Sequence, residues 1–289
     1  MSKARGLADL GNVYSDGALS NRNMVINGAM QVAQRGTSFA SGIYQYTLDR
    51  WSVGGGHTVS RYTDASGKKW LDATNSNATW FAASQKIENG DYLARNNSVT
   101  VSFDWEQVTA TAVASVRLFN DIDIDEYINI PEPSVSGRKT ITFTVGAISL
   151  GSGWLGVGVY NAYATAQSGR FRITNFQLEV GDTATPFEHR SYGQELALCQ
   201  RYYQKDHIYA QGYQVAPTDL TVMYRHAVDM RASPTLAWLA VSIIQVNVNS
   251  GTLGAVPNGD GAKQTRIYLD PTATGSMEYN RAFSLDSEL

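Results

Sequence analysis

Several residue patterns in this chain carry the types that chemistry needs, and most stand in the wrong surroundings for it. Gly151-Ser-Gly-Trp-Leu-Gly156 has the spacing of a dinucleotide-binding loop. Such a loop needs a helix after it, so that helix amides meet the pyrophosphate, and here Val157-Gly-Val-Tyr160 reads on as a strand. Asp121-Ile-Asp-Ile-Asp125 with Glu132 mimics the ligand spacing of a calcium loop, but Glu126 stands where the sharp turn requires glycine. The isoleucines between those aspartates read as a strand with an acidic outer face, which leaves calcium only as loop-to-loop ligation. His57, His189, His207 and His226 are scattered, and no pair has the i, i+4 spacing of a zinc helix. A nucleophile elbow of the Gly-x-Ser-x-Gly kind is absent. Asp104 and Glu106 share one strand face, opposite Trp105, and read as a solvated pair rather than as the two carboxylates of a glycosidase. Neither catalysis nor a cofactor is expected.

Sugar binding is the chemistry that the residue types favour. It asks for flat rings to stack on pyranose faces, with amide, carboxylate and guanidinium groups beside them to bond hydroxyls. The candidates outside the clear core alternation are Trp70, Trp80, Tyr92, Tyr160 and Tyr163, and further along Tyr209 and Tyr213. Tyr209-Ala-Gln-Gly-Tyr213-Gln reads as a surface loop or edge. Trp51 and Trp105 are assigned to the core.

The elements that must position these rings are strands. Val99, Val101, Phe103 and Trp105 alternate with Thr100, Ser102, Asp104 and Glu106; Ile141, Phe143 and Val145 alternate with threonines; Leu155, Val157 and Val159 oppose Gly156 and Gly158. Half-buried strands separated by Gly, Asn and Ser turns build antiparallel sandwiches, here over residues 24–190. Phe171 and Ile173 have one parity and Phe176, Leu178 and Val180 the other, so an extra residue near Thr174 or Asn175 is required, a β-bulge. Gly181-Asp182 ends that strand. Ser191 and Gln194 then have capping-box spacing, with Leu196, Cys199 and Tyr203 on the dry side of a helix and Glu195, Gln200, Arg201 and Gln204 on the wet side.

Beyond the helix, Leu220–Met230 alternates again, Leu236–Val248 is apolar on both faces like a buried strand or a subunit interface, and two further strands flank Asp270-Pro271. This is a thin core for a lone domain, and contacts between copies would complete it. Residues 1–23 are too poor in apolar side chains to form a core of their own. Twenty-three basic residues against 26 acidic ones give a net charge of −3, without the basic stripe that nucleic-acid binding needs. The one cysteine, Cys199, excludes an intrachain disulfide and lies on the apolar stripe of the helix. The first residues lack the apolar run of a signal peptide, and the most apolar segment is too short to span a bilayer.

Three groups of residues go together in this order: Val25-Ile-Asn-Gly28 with Gln34-Arg-Gly36, Asp49-Arg-Trp51, and the run NFQLEVGDTATPFEHRSYGQELALCQRYY from Asn175 to Tyr203. Over roughly Met24–Lys205 this wording resembles phage tail-fibre and receptor-binding proteins that carry a carbohydrate-binding-module-like β-sandwich. Ala29 departs from the pattern, since an acidic residue often follows Asn-Gly there, and this weakens any inference of a structural calcium. The resemblance implies an all-β chain: a virion-docking segment (1–23), a jelly-roll-like antiparallel sandwich (24–190), and a short linking helix with a C-terminal β-rich domain (191–289). It implies a structural, non-enzymatic virion protein, made in the host cytoplasm and usually homotrimeric, that holds other virion proteins through its first residues and a host surface glycan elsewhere. A capsid head fibre or decoration protein of the same fold is the nearest alternative, and a glycan-hydrolysing tailspike a lesser one. The large β-helix depolymerases of phages need far more repeated strands than this chain has.

Overall fold

The computed structural model describes residues 22–40, 44–55, 57–75, 81–90, 94, 97–109, 114–146, 153–161, 169–215, 220–239, 244–254 and 260–288. The chain divides into two compact units, Met1–Arg190 and Ser191–Leu289.

The described strands of the first unit are β1 (Ser38–Phe39), β2 (Gln45–Tyr46), β3 (Ser52–Gly54), β4 (Thr58–Thr63), β5 (Lys69–Asn75), β6 (Phe81–Glu88), β7 (Ser98–Thr109), β8 (Ala114–Phe119), β9 (Asp125–Asn129), β10 (Gly137–Thr144), β11 (Trp154–Asn161) and β12 (Gly169–Val180). They form two antiparallel sheets, ordered β1-β4-β5-β12-β7-β10 and β2-β3-β6-β11-β8-β9. Chain order alternates between the sheets through β5, β6, β7 and β8 and again through β10, β11 and β12, a jelly-roll-like sandwich. The alternating apolar residues of both sheets meet in one core, with Val99, Val101, Phe103, Trp105, Ile141 and Phe143 from the first sheet and Val116, Leu118, Leu155, Val157 and Val159 from the second. Phe81 on β6 meets Phe171 on β12 edge to face at 4.7 Å. Trp51 and Trp105 are both core residues.

The parity change in β12 is a bulge. Thr174 pairs with Asp104 and Gln177 with Ser102, so Asn175 and Phe176 together oppose Phe103. Asn175 takes φ +48° to make the extra residue fit. Phe176 thereby turns inward, stacking on Phe103 and meeting Trp51 edge-on at 5.3 Å. Val180, of the same parity, lies at the end of the strand and is exposed.

The three groups of signature residues converge on this bulge. Asn27, at φ +58°, donates from Nδ2 to the carbonyls of Val32 and Asp49, both at 2.9 Å, and accepts the Val32 amide at Oδ1. Its own carbonyl accepts the indole N–H of Trp51, and the Gly28 carbonyl accepts the Phe176 amide. A Cβ on Gly28 would sit 2.1 Å from the Phe176 carbonyl oxygen, so only glycine lets the two backbones come this close. Asp49 accepts the Gln34 amide and side chain, while Met30 and Arg50 also hold positive φ. Strained backbone of this kind persists where its surroundings over-determine it. The signature residues are thus a packing knot.

In the second unit, Ser191 caps helix α1 (Tyr192–Gln200) with the reciprocal bonds of a capping box to Gln194. The helix is shorter than its periodicity suggests: Tyr203 begins a strand, and Glu195 is buried along with Cys199. Strands β13 (Tyr203–Gln214), β14 (Leu220–Arg225), β15 (Thr235–Trp238), β16 (Ile244–Val246), β17 (Val248–Gly254), β18 (Gln264–Pro271) and β19 (Gly275–Asp286) follow. β19 pairs with β13, β15 and β16, and β18 lies between β14 and β17. Of the two readings of Leu236–Val248, a buried strand or a subunit interface, the single buried strand does not hold: β15 and β16 are two short strands, and Ile244 and Val246 are exposed in the single chain. The alternation from Leu220 stops at Arg225, short of Val228. Asp270 and Pro271 belong to the end of β18, and the turn comes after them.

His226, buried in the second unit, has both ring nitrogens engaged, Nδ1 with the Ala262 carbonyl and Nε2 with Thr265 Oγ1, each at 2.9 Å. A carbonyl only accepts, so Nδ1 carries the proton and Nε2 accepts from the threonine. Burial holds the pKa of His226 below its ordinary value near 6.5, against the opposing pull of Ala262 and Asp229. Below that value the unfolded chain takes up a proton that the folded one resists, so acid favours unfolding. In urea titrations, the second unit is expected to lose stability as pH falls from 7 to 5, and His226→Gln to flatten that slope.

Candidate functional site

Residues that alternate with the core on β6, β11, β8 and β9 make up the outer face of the second sheet. The register sets Trp154, Gly156, Gly158 and Tyr160 of β11 beside Lys86 and Ser84 on one flank and Phe119, Arg117 and Ser115 on the other. Tyr127 of β9 then pairs with Arg117, Asp125 with Phe119, and Asn129 with Ser115. Three strands thus deliver four aromatic rings to one face, and β6 adds Lys86 and Ser84 beside them.

Arg117 organises them. Its guanidinium lies 4.5 Å from the Phe119 ring centroid, 4.9 Å from Tyr160 and 5.1 Å from Tyr127. Its Nε bonds Asp125 at 2.6 Å. The rings meet edge to face: Phe119 with Trp154 at 5.7 Å, Phe119 with Tyr160 and Tyr127 with Tyr160 at 6.0 Å. The ammonium of Lys86 stands 4.1 Å over the Trp154 ring. Cations held over ring faces in this way fix the rings without covering both sides of them.

Gly156 makes the platform possible. A Cβ there would lie 2.3–2.6 Å from the Phe119 ring, so that ring rests on bare backbone. Tyr127 is 52% exposed and Trp154 half-buried, whereas Tyr160 is buried beneath them. Burial pushes the Tyr160 hydroxyl above its ordinary pKa, with Ser84 and Arg117 partly offsetting it. Burial also lowers Lys86, opposed by Asp121. Arg117 is disfavoured by burial, but Asp125 and Tyr160 outweigh that and raise it. The face therefore offers exposed ring surface with hydroxyl, carboxylate, amide and cationic groups around it, the combination that a pyranose needs.

The ring candidates read from sequence are dispersed. Tyr160 belongs to this face. Trp70 is buried on the other sheet, where its indole donates to Asp64 and carries the Lys68 ammonium at 4.4 Å. Tyr209 and Tyr213 lie on β13, an edge strand of the second unit, at the same parity as Gln211, and both are exposed. Trp80, Tyr92 and Tyr163 lie outside the described residues. Arg117, Phe119, Tyr127 and Trp154 had not been singled out. The usable signal was the period-2 row Trp154-x-Gly-x-Gly-x-Tyr160, an aromatic at each end of two bare positions on one strand face.

Asp104 and Glu106 lie on the outer face of the first sheet, part-exposed, and there join an ion-pair lattice. Asp104 takes Lys68 at 2.6 Å and Asn175 at 2.8 Å, with Arg138 at 3.4 Å. Glu106 takes Arg172 at 3.0 Å. The Asp121–Asp123 segment is a turn ahead of β9, closed by Asn120 Oδ1 accepting the amides of Ile122, Asp123 and Ile124. Among the described residues no group of three or more His, Cys, Asp or Glu side chains is placed to hold a metal ion, and no helix is long and apolar enough to cross a membrane.

No protein-family model matches this chain, and no curated protein does. Among solved structures it is similar to the enzymatically active domain of tailspike protein 4 of bacteriophage CBA120, at 16% identity and TM-score 0.38, over 55% of this chain and 21% of that one. The chain thus spans about a fifth of the tailspike's length. It is similar to the carbohydrate-binding module TmCBM61, solved with β-1,4-galactotriose, at 14% identity and TM-score 0.36, over 55% of this chain and 99% of that one. A cyclase from Fischerella matches at 13% identity and TM-score 0.37, over 55% and 96%. These are likenesses of fold, and one fold carries many functions.

Proposed function

We propose that this chain is a non-enzymatic, glycan-binding subunit of a virion tail fibre, a homotrimer that attaches a phage to host surface carbohydrate. The observation that carries the reading is the row of rings around Arg117, with Tyr127 and Trp154 open to a ligand and Asp125, Asn129 and Lys86 beside them. The resemblance of the packing-knot residues to phage fibre proteins supplies the setting. The absence of catalysis is supported by the carboxylates of both outer faces that are tied to cations: Asp72, Glu106 and Asp104 on one, Asp125 on the other. Asp72 in particular, against the pull of burial, is held below its ordinary pKa by Arg170 and Arg172, which makes it a poor general acid.

A glycan array probed with the purified chain is the first test, with Tyr127→Ala and Trp154→Ala alongside. Each substitution is expected to weaken the best ligand roughly tenfold, the loss of one aromatic anchor, with an unchanged melting temperature. Retained binding in both variants would remove this face from consideration. Release of reducing ends from host polysaccharide would overturn the non-enzymatic reading and favour a tailspike. Electron microscopy with a label against the chain separates tail from capsid: label on the head would move the same fold to a head fibre or decoration protein.

A further inference from the structure

A cleft of about 370 Å³ opens in the first unit at the bulge of β12 in the other sheet, among Ala29, Gln31, Lys68, Lys69, Asn175 and His189. Four separate segments converge on it: the turn after Asn27, the β4–β5 hairpin, the bulge of β12, and the stretch that follows β12. Its volume is at the low end of ligand sites, enough for about one sugar residue.

The cleft is rich in donors and its nearby acceptors are occupied. The Lys69 ammonium has no hydrogen-bond or ion-pair partner among the described residues. Lys68 directs one N–H to Asp104 and has two more. The His189 ring meets Phe187 at right angles, 4.9 Å between centroids, and has no hydrogen-bond partner among the described residues. Among the described residues no carboxylate lines the cleft, and those next to its lining already accept hydrogen bonds. Asp64 accepts from Ser66, Lys68 and Trp70, Asp104 from Lys68, Arg138 and Asn175, and Glu188 from the Asn23 amide with Arg190 close by. A cleft lined by two ammonium groups and an imidazole, with no carboxylate in its described lining, selects a ligand that accepts hydrogen bonds and bears negative charge.

We infer that this cleft binds an oxyanion-bearing sugar, a saccharide with a carboxylate or phosphate substituent, at a site separate from the aromatic face. The aromatic platform suits any pyranose by its shape; the cleft adds selection for acidic units of a surface polysaccharide.

The test is calorimetric titration of the full chain at low salt with glucuronate, glucose 6-phosphate, glucose and inorganic phosphate. Both charged sugars are expected to bind at least about tenfold more tightly than glucose, for which the cleft has no charge to pair, with that margin shrinking as salt is raised. Lys69→Gln is expected to weaken the charged sugars roughly tenfold, the loss of one charge-assisted hydrogen bond, and Lys69→Arg to restore them. Tyr127→Ala is expected to leave this binding unchanged, so failure of the aromatic-face reading and failure of this one are distinguishable. Equal binding of glucose and glucuronate, or no effect of either Lys69→Gln or His189→Gln in folded protein, would overturn the inference. Inorganic phosphate bound as tightly as glucose 6-phosphate would overturn the saccharide part of it and leave an adventitious ion only.

Discussion

Asn27→Ala is expected to cost the first unit about 4 kcal/mol, enough to leave a marginally stable domain largely unfolded near body temperature. The side chain is fully buried and makes three bonds, one to the Val32 amide and two to the carbonyls of Val32 and Asp49. Alanine removes all three and places nothing in the space, so each orphaned group bears its own desolvation penalty. The residue also holds φ +58°, which alanine tolerates worse than asparagine does. Asn27→Gly separates the two effects, since it accepts the backbone angle but makes none of the bonds. It should recover only about 1 kcal/mol of the loss. Two-wavelength urea unfolding would check this, with the second unit's transition as internal reference. A loss below about 1 kcal/mol for alanine would show that water replaces the side chain and that the knot is dispensable.

Asp72→Ala is expected to cost about 3 kcal/mol, because it strands buried positive charge. Asp72 is 2% exposed and takes two bonds from Arg170, at 2.8 and 2.6 Å, and one from Arg172 at 2.8 Å. Arg172 is itself sandwiched, 3.6 Å over the Tyr62 ring and bonded to Glu106. One carboxylate thus ties β5 to β12, and Arg172 carries the tie on to β7. Burial alone would raise the pKa of Asp72, but the two guanidinium groups outweigh it and hold it below the ordinary value of 3.8. In the unfolded chain Asp72 takes up its proton near 3.8, while in the folded chain it resists until lower pH. The stabilisation is therefore complete above that range and is lost as pH falls through it. Wild-type protein should lose stability on acidification below about pH 4, and Asp72→Ala should lack that part of the slope. Asp72→Ala with Arg172→Met should be more stable than Asp72→Ala alone, since the second change removes the stranded charge. If the single variant unfolds like wild type at pH 7, the lattice is surface decoration.

The fold was legible in the sequence because strands with one wet and one dry face must alternate. Val99 to Trp105 and Leu155 to Val159 could be placed on a core from their period alone, and the parity break between Ile173 and Phe176 required the bulge that Asn175 makes. The capping box at Ser191 was equally local: both of its partners lie within one turn. Where the reading failed, the deciding contact was long-range. Glu195 falls on the polar arc of its helix yet is buried, Tyr203 keeps the helical period but pairs with Asp286, and Asp104 faces outward but meets Lys68 from the β4–β5 turn and Arg138 from β10.

Period and parity belong to the chain, and by themselves they determined that it is all-β, which side chains face inward, where β12 must bulge, and that rings would be available for a ligand. Which rings meet is a question of register between strands far apart in sequence. Only the tertiary structure set Trp154, Phe119, Arg117 and Tyr127 on one face, and only it drew Lys69 and His189 into one cleft. The physical reason is that a strand fixes the direction of its side chains every second residue, whereas its neighbours are chosen by the packing of the whole core.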